Sequence, residues 1–121
     1  MAALPENNKI LKIVRGVLSG EILTNSMIYW DKRFIPKGEK IQSGPQQIEM
    51  PFDGTFVFAD LAPRANWGHP CLYLFINLKK GTVLEVRSSF PPFMDNFPDS
   101  LIILLRYGKN PPHEKYFDTF T

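Results

Sequence analysis

Two apolar segments in the middle of the chain carry the clearest hydrophobic pattern. Residues 53–63 begin with an Asp-Gly turn, continue with a run that is apolar on both faces of an extended chain, and end at a proline. Residues 71–78 form a second run of the same kind. A strand that is apolar on both faces lies inside a fold, covered on both sides. The pattern therefore predicts a β-rich core.

Further strands are predicted on either side of these segments. Residues 79–81 form a Lys-Lys-Gly turn, which leads into alternating positions at 82–87 and predicts a hairpin with the strand before it. Polar and apolar residues alternate at 47–50, and residues 27–30 are apolar and aromatic. Residues 101–107 are interpreted as a buried strand or a short helix, with the Ile-Ile pair favouring the strand.

Residues 10–22 fit two structures. Their apolar side chains fall on one side of a helix, with Asn7 or Asn8 as its cap and Gly20 as its end. The same residues also fit a strand followed by a turn at 19–21. Because β-branched residues and the interior Gly16 weaken a helix, the strand is favoured. Residues 1–8 are interpreted as a loose lead-in.

About seven short strands are expected in all, so the predicted fold class is all-β. The expected architecture is an antiparallel β-sandwich or barrel, with one short N-terminal helix if residues 10–22 are helical. Eleven prolines and eight glycines suit many turns better than they suit a helical bundle. The 121 residues are expected to form a single domain, with 109–121 as an exposed tail.

One stretch of the sequence resembles a known family. The order of Val14-Arg15-Gly16-Val17, the segment 20–30, the turn and strand at 53–63, and Tyr73-Leu74-Phe75-Ile76 is similar to that of transthyretin-like, carboxypeptidase-regulatory-like β-sandwich domains. The resemblance covers residues 13–78. It implies a β-sandwich fold and a role in structure or recognition more than in catalysis.

Charge and cysteine content exclude several classes of protein. The net charge of +2, from 14 basic and 12 acidic residues, is too balanced to indicate a nucleic-acid partner. A single cysteine cannot form an internal disulfide. No signal peptide is visible, and the longest apolar run, 101–105, is too short to span a membrane. We expect a soluble protein, and a cytoplasmic location is favoured although the compartment stays open.

The sequence offers few candidates for catalysis. His69 and Cys71 lie two residues apart, so an imidazole could activate a thiol. Side chains at this spacing on one strand are about 7 Å apart, however, which is too far for a direct hydrogen bond. Cys71 is therefore interpreted as a small core residue, and no catalytic residue is assigned. Asp95 and Asp99 lack the glycine and glutamate of a calcium loop, so no metal and no cofactor are predicted.

Two loops rich in aromatic residues are the predicted binding surfaces. One lies at 64–69 and the other at 90–98, where apolar side chains either cover the core or form an interface. The predicted binding residues are Trp67, His69, Phe90, Phe93, Met94 and Phe97.

The predicted function is a non-catalytic interaction module that binds a partner protein or a second copy of itself. One alternative is a small-ligand or carbohydrate binder that stacks its ligand on Trp30 or Trp67. A second alternative is an enzyme that depends on Cys71 and His69. Aromatic and basic residues also mix at 29–34, which could stack on a base or a sugar ring, but a strand end with its aromatic side chains in the core is favoured.

Overall fold

The computed structural model describes residues 4–62, 70–90, 92 and 98–109, and of residues 4–7 only the backbone. Within these ranges, two helices and seven strands follow one another: α1 (Leu4–Val17), α2 (Gly20–Asn25), β1 (Met27–Ile35), β2 (Lys40–Ser43), β3 (Gln46–Glu49), β4 (Gly54–Asp60), β5 (Cys71–Asn77), β6 (Thr82–Ser88) and β7 (Leu101–Arg106).

Five strands form one open antiparallel sheet in the order β6-β5-β4-β1-β7, and β2 pairs with β3 in a separate hairpin. The predicted all-β class with about seven short antiparallel strands is confirmed. The main sheet has two edges, at β6 and β7, so it is not a closed barrel. The predicted hairpin of residues 71–78 and 82–87 is also confirmed, with every residue from Cys71 to Asn77 paired to β6.

The strand favoured for residues 10–22 is wrong, because residues 10–17 lie in α1 and residues 20–22 lie in α2. Ile10, Leu11, Val14 and Leu18 are buried against the sheet, and this spacing places them on one face of a helix. Tertiary burial outweighs the small cost of Gly16, which is exposed at the end of the helix. The helix begins at Leu4, so residues 4–8 belong to it and not to a loose lead-in.

Each face of the main sheet covers its own core. One core lies beneath α1 and includes Ile28, Trp30 and alternate residues of β4 and β5. The other core lies beneath the β2–β3 hairpin and contains an aromatic cluster. Its rings belong to Tyr29, Phe56, Phe58, Tyr73 and Phe75, with centroids 5.5–6.2 Å apart in the closest pairs. The central strands β4 and β5 are therefore apolar on both faces, as their sequence predicted.

Gly54 allows β4 to begin close to the end of β5. A Cβ atom at this position would lie 2.0 Å from the carbonyl oxygen of Ile76, which is far inside van der Waals contact. Only glycine fits this approach without a shift of the backbone. The close approach places Thr55, the next residue, in the interior of the sheet, where it is 1% exposed.

Candidate functional site

A bulge near the end of β1 brings three side chains to the surface. Asp31 pairs with Phe56 and Ile35 pairs with Gly54, so four residue steps of β1 face two steps of β4. The extra chain contains Lys32, Arg33 and Phe34, and all three are exposed. Bulges redirect side chains and are frequent beside functional sites.

The bulge is held by a buried carboxylate. The Asp31 side chain is fully buried, and its Oδ1 accepts hydrogen bonds from the backbone N of Arg33 at 3.2 Å and from Nε at 3.1 Å. The guanidinium Nη2 donates to Oδ2 at 3.0 Å. These bonds to Asp31 are the main cause of a raised pKa for Arg33. A forked pair of this kind fixes the arginine more firmly than a single bond would, so the bulge has a rigid base.

Phe34 projects from this base, and its side chain is 67% exposed. Among the described residues it is the most exposed large apolar side chain. Such an aromatic side chain in water gains about 2 kcal/mol when a partner covers it. It is therefore the strongest single indication of a binding surface in the described part of the chain.

Phe34 separates two pockets. The smaller, of about 280 Å³, lies between α1 and the bulge, and it is lined by Lys9, Ile10, Trp30, Lys32, Arg33, Phe34, Thr55 and Leu78. The larger, of about 580 Å³, lies beside the β5–β6 turn, and it is lined by Phe34, Lys37, Pro51, Phe52, Asp53, Gly54, Asn77, Leu78 and Lys79. We call Phe34 and the residues that line these two pockets the Phe34 surface.

The rim of the Phe34 surface is predominantly basic. Exposed lysines line both pockets, namely Lys9 and Lys32 in the smaller and Lys37 and Lys79 in the larger. The Nζ of Lys9 donates to the carbonyl oxygen of Leu78 at 3.2 Å, which fixes one of these cations beside the smaller pocket. Asp53 is the acidic residue that lines the larger pocket, and its Oδ1 accepts a hydrogen bond of 2.7 Å from the backbone N of Lys37. The surface thus combines an apolar centre with positive charge around it.

Trp30 forms part of the wall of the smaller pocket, but it offers no open face for stacking. The residue is 5% exposed, and its Nε1 donates a hydrogen bond of 2.9 Å to Oγ1 of Thr55. The Thr55 hydroxyl in turn donates to the carbonyl oxygen of Asp31. This chain of hydrogen bonds ties the floor of the pocket to the base of the bulge. Trp67, the other predicted stacking residue, lies outside the described residues.

Cys71 is placed at the start of β5, where it is 1% exposed. Burial, and next the charge of Asp60, raise the pKa of the thiol from its ordinary 9.0 to about 12. The thiol is therefore protonated at neutral pH, which is the opposite of what a nucleophile requires. His69, its predicted partner, lies outside the described residues.

The predicted 90–98 loop is described only in part. Phe90 is half-buried, and its carbonyl oxygen accepts hydrogen bonds from the Tyr73 hydroxyl at 2.9 Å and from Ser43 Oγ at 3.3 Å. Its ring lies against Gly44, where a Cβ atom would come within 2.3 Å of it. Phe90 thus packs the hairpin onto the sheet. The remaining predicted binding residues of this loop, Phe93, Met94 and Phe97, lie outside the described residues.

Two further observations bear on the kind of site. Within the ranges that the structure describes, no three His, Cys, Asp or Glu side chains are grouped so that they could hold a metal ion. None of the helices in the described part of the chain combines the length and the apolar composition that a membrane crossing needs.

Comparisons of the chain with protein-family profiles, with curated proteins and with solved structures give no match. The resemblance to transthyretin-like domains stays a prediction, because none of these comparisons bears on it. A function is therefore inferred from the geometry of the Phe34 surface.

The sequence indicates this surface only incompletely. The pattern at 29–34 mixes aromatic and basic residues, and it favours a core position for the aromatic side chains. Tyr29 and Trp30 are indeed buried, at 3% and 5% exposure, but Phe34 is not. The sequence feature that distinguishes Phe34 from Tyr29 and Trp30 is Asp31, which stands between them. A carboxylate in the middle of an apolar strand needs a nearby partner, which indicates that the regular strand pattern is interrupted there.

Proposed function

We propose that this protein is a non-catalytic binding module that recognises a partner protein through the Phe34 surface. The observation that carries the proposal is the exposure of Phe34, which projects at 67% between two pockets from a base that Asp31 and Arg33 hold in place. A rigid aromatic side chain is typical of the residues that dominate binding energy at interfaces.

Charge indicates which partner fits. Because Lys9, Lys32, Lys37 and Lys79 surround the apolar centre, we propose that the partner presents an acidic segment with at least one apolar side chain. The apolar side chain would pack against Phe34, and the carboxylates would pair with the lysines. Opposite charges of this kind mainly speed association and select the partner.

A protein partner agrees better with the described residues than a single-stranded nucleic acid does. Nucleic-acid binders stack successive bases on several open aromatic faces along a basic groove. Phe34 supplies one such face, and Trp30 is buried at 5% exposure with its indole N–H already bonded. The near-neutral net charge of +2 also gives little long-range attraction for a phosphate backbone. The loops at 64–69 and 90–98 stay predicted binding surfaces.

A phage-displayed library of random peptides tests the proposal without requiring an identified partner. We expect the unmodified chain to enrich peptides that combine acidic residues with an apolar side chain. A Phe34→Ser variant should lose this enrichment while it keeps its circular dichroism spectrum, because the side chain it loses is mostly in water. Val17→Ser is the matched control, since Val17 is also exposed, at 40%, but lies outside both pockets.

Variants that reverse the charge of one lysine test the role of the basic rim in the same selection. Lys32→Glu should weaken the binding of the selected peptides. Lys40→Glu should leave that binding unchanged, because Lys40 is exposed on β2 and does not line either pocket. The proposal fails if no peptide is enriched above background, or if the same peptides bind the Phe34→Ser variant equally well. Enrichment that disappears when the chain is first treated with a ribonuclease or a deoxyribonuclease would indicate that a bound nucleic acid captures the peptides. That result would also overturn the proposal.

A further inference from the structure

The strand β6 (Thr82–Ser88) forms an edge of the main sheet that no other described strand covers. It pairs with β5 on its inner side without a register shift, from Asn77↔Thr82 to Cys71↔Ser88. On its outer side, no strand and no backbone hydrogen bond among the described residues covers 82–87. Thr82, Leu84, Glu85 and Arg87 are all exposed. As far as the structure describes the chain, a row of backbone groups is thus available to another strand.

Natural sheets usually block such an edge, and β6 lacks most of the usual blocks within the described residues. Protective devices include proline, charged side chains and lysine above all, a bulge, or a covering segment. The sequence Thr-Val-Leu-Glu-Val-Arg-Ser contains no proline and no lysine, and its register is continuous. The opposite edge differs, because four of the six residues of β7 are buried and the chain after Arg106 turns back to pair with it at Lys109.

Two charges on β6 are arranged so that the strand complements itself. Glu85 and Arg87 lie two residues apart and therefore project from the same face, which is the face toward α1, since their partners on β5 are Leu74 and Leu72 of the core beneath that helix. If two copies of β6 pair in antiparallel register around Val86, Glu85 of each copy lies opposite Arg87 of the other. One register thus creates two opposite-charge pairs at once.

Neighbouring registers do not have this property. Pairing centred on Glu85 places the two Glu85 carboxylates opposite each other, and pairing centred on Arg87 places the two arginines opposite each other. Like charges directly across a strand pair are destabilising, while opposite charges are stabilising. The charges on β6 therefore select a single symmetric register from the three that lie close to the middle of the strand.

We propose that β6 is a homodimer interface, in which two copies join edge to edge, antiparallel and centred on Val86, into a continuous ten-stranded sheet. In this arrangement Leu84, which is 45% exposed in the single chain, lies opposite Ser88 of the other copy and loses part of its contact with water. The two copies are related by a twofold axis, as most homodimers are. The interface does not depend on the Phe34 surface, which is built around the end of β1.

A charge-swap series tested by sedimentation equilibrium addresses this proposal. We expect the unmodified chain to dimerise reversibly. Glu85→Lys and Arg87→Glu should each weaken the dimer by roughly tenfold or more, since both opposite-charge pairs become like-charge pairs. Arg15→Glu, the same change as Arg87→Glu but at an exposed position of α1, should dimerise as the unmodified chain does.

An equimolar mixture of the two β6 variants should recover association as a heterodimer. The introduced lysine of one variant then lies opposite the introduced glutamate of the other, and Arg87 of the first lies opposite Glu85 of the second. Circular dichroism of each variant at a concentration where all chains are monomeric verifies the fold. Failure of the mixture to associate when both single variants are folded monomers contradicts the proposed register.

Two results with the unmodified chain and the single variants, each measured alone, overturn the proposal. The first is an unmodified chain that stays a monomer at every concentration measured. The second is an unmodified chain that dimerises together with single variants that associate equally well, because the interface then lies elsewhere.

Discussion

The carboxylate of Asp31 and the guanidinium of Arg33 are joined by a forked contact in which Nε and Nη2 lie 3.1 and 3.0 Å from the two carboxylate oxygens. One partner is fully buried and the other is 41% exposed. The pair therefore spans the boundary between the core and the surface, and it links the interior of the sheet to the exposed bulge that carries Phe34. A buried negative charge is tolerated here because its partner is supplied only two residues away.

Loss of the arginine should therefore cost more than loss of an ordinary surface ion pair. Arg33→Gln leaves the Asp31 carboxylate buried beside a neutral side chain, and we expect a loss of about 2 kcal/mol in the free energy of unfolding. The double variant Asp31→Asn/Arg33→Gln should recover part of this loss, since the buried charge is gone. Urea unfolding of the unmodified chain and the two variants measures both effects. Equal stability of Arg33→Gln and the unmodified chain would contradict the assigned role.

Thr55 should prove important through its hydroxyl alone. Thr55→Val keeps the shape of the side chain but leaves the buried indole N–H of Trp30 and the carbonyl of Asp31 without this partner. We expect a loss of about 1–3 kcal/mol in unfolding free energy. Thr82→Val, the same change at an exposed position of β6, should alter stability by about 0.5 kcal/mol or less. Similar losses in both variants would argue against the hydrogen-bond chain.

Gly54 should not accept even a methyl group. Gly54→Ala places the new carbon 2.0 Å from the carbonyl oxygen of Ile76, so the strands β4 and β5 must separate locally. We expect a loss of about 2–3 kcal/mol, measured as a lower midpoint of urea unfolding. Gly16→Ala is the control, because nothing lies within 4 Å of that position and alanine favours a helix. The same effect from both substitutions would show that the close approach at Gly54 is not what requires glycine.

The buried thiol of Cys71 should make stability fall at alkaline pH. In the unfolded chain the thiol loses its proton near its ordinary pKa of 9.0, whereas in the folded chain it keeps the proton until about pH 12. Its contribution is therefore complete below pH 9.0 and is lost as the pH rises toward 12, by about 1.4 kcal/mol per pH unit at most. The comparison with Cys71→Ala isolates the effect of this thiol from every other pH-dependent contribution to stability. Parallel stability curves for the two proteins would show that the thiol is not responsible.

The central strands could be predicted from the sequence because burial on both faces leaves an unambiguous pattern. Val57 and Leu74 face one core while Phe56 and Phe75 face the other, so nearly every position of β4 and β5 is apolar. The N-terminal helix could not be predicted with the same certainty, because its apolar positions fit both periodicities. The choice is made by packing, which buries Ile10, Leu11 and Val14 together in one core, as a helix face allows and an alternating strand does not.

The Phe34 surface could not be predicted for a different reason. In an uninterrupted strand Phe34 would project from the same face as Trp30 and would be expected in the core under α1. The bulge after Asp31 removes it from that position, and a bulge depends on pairing with β4, which is distant in sequence. Sequence patterns that assume regular strands cannot detect such an insertion. The lysines that surround the pockets also come from separate elements, from Lys9 on α1 to Lys79 in the β5–β6 turn.

An NMR titration of the ¹⁵N-labelled chain with an acidic peptide enriched by the phage selection tests the central claim, recognition through the Phe34 surface, most directly. We expect backbone amide shifts to concentrate at Lys32, Arg33, Phe34 and Leu78, and the amides of β6 to stay unchanged as the peptide concentration rises. Lys32→Glu should weaken the binding, so that the shifts appear only at higher peptide concentration, and Lys40→Glu should leave them unchanged. Saturable shifts that cluster away from Phe34, or that persist in the Phe34→Ser variant, would contradict the claim.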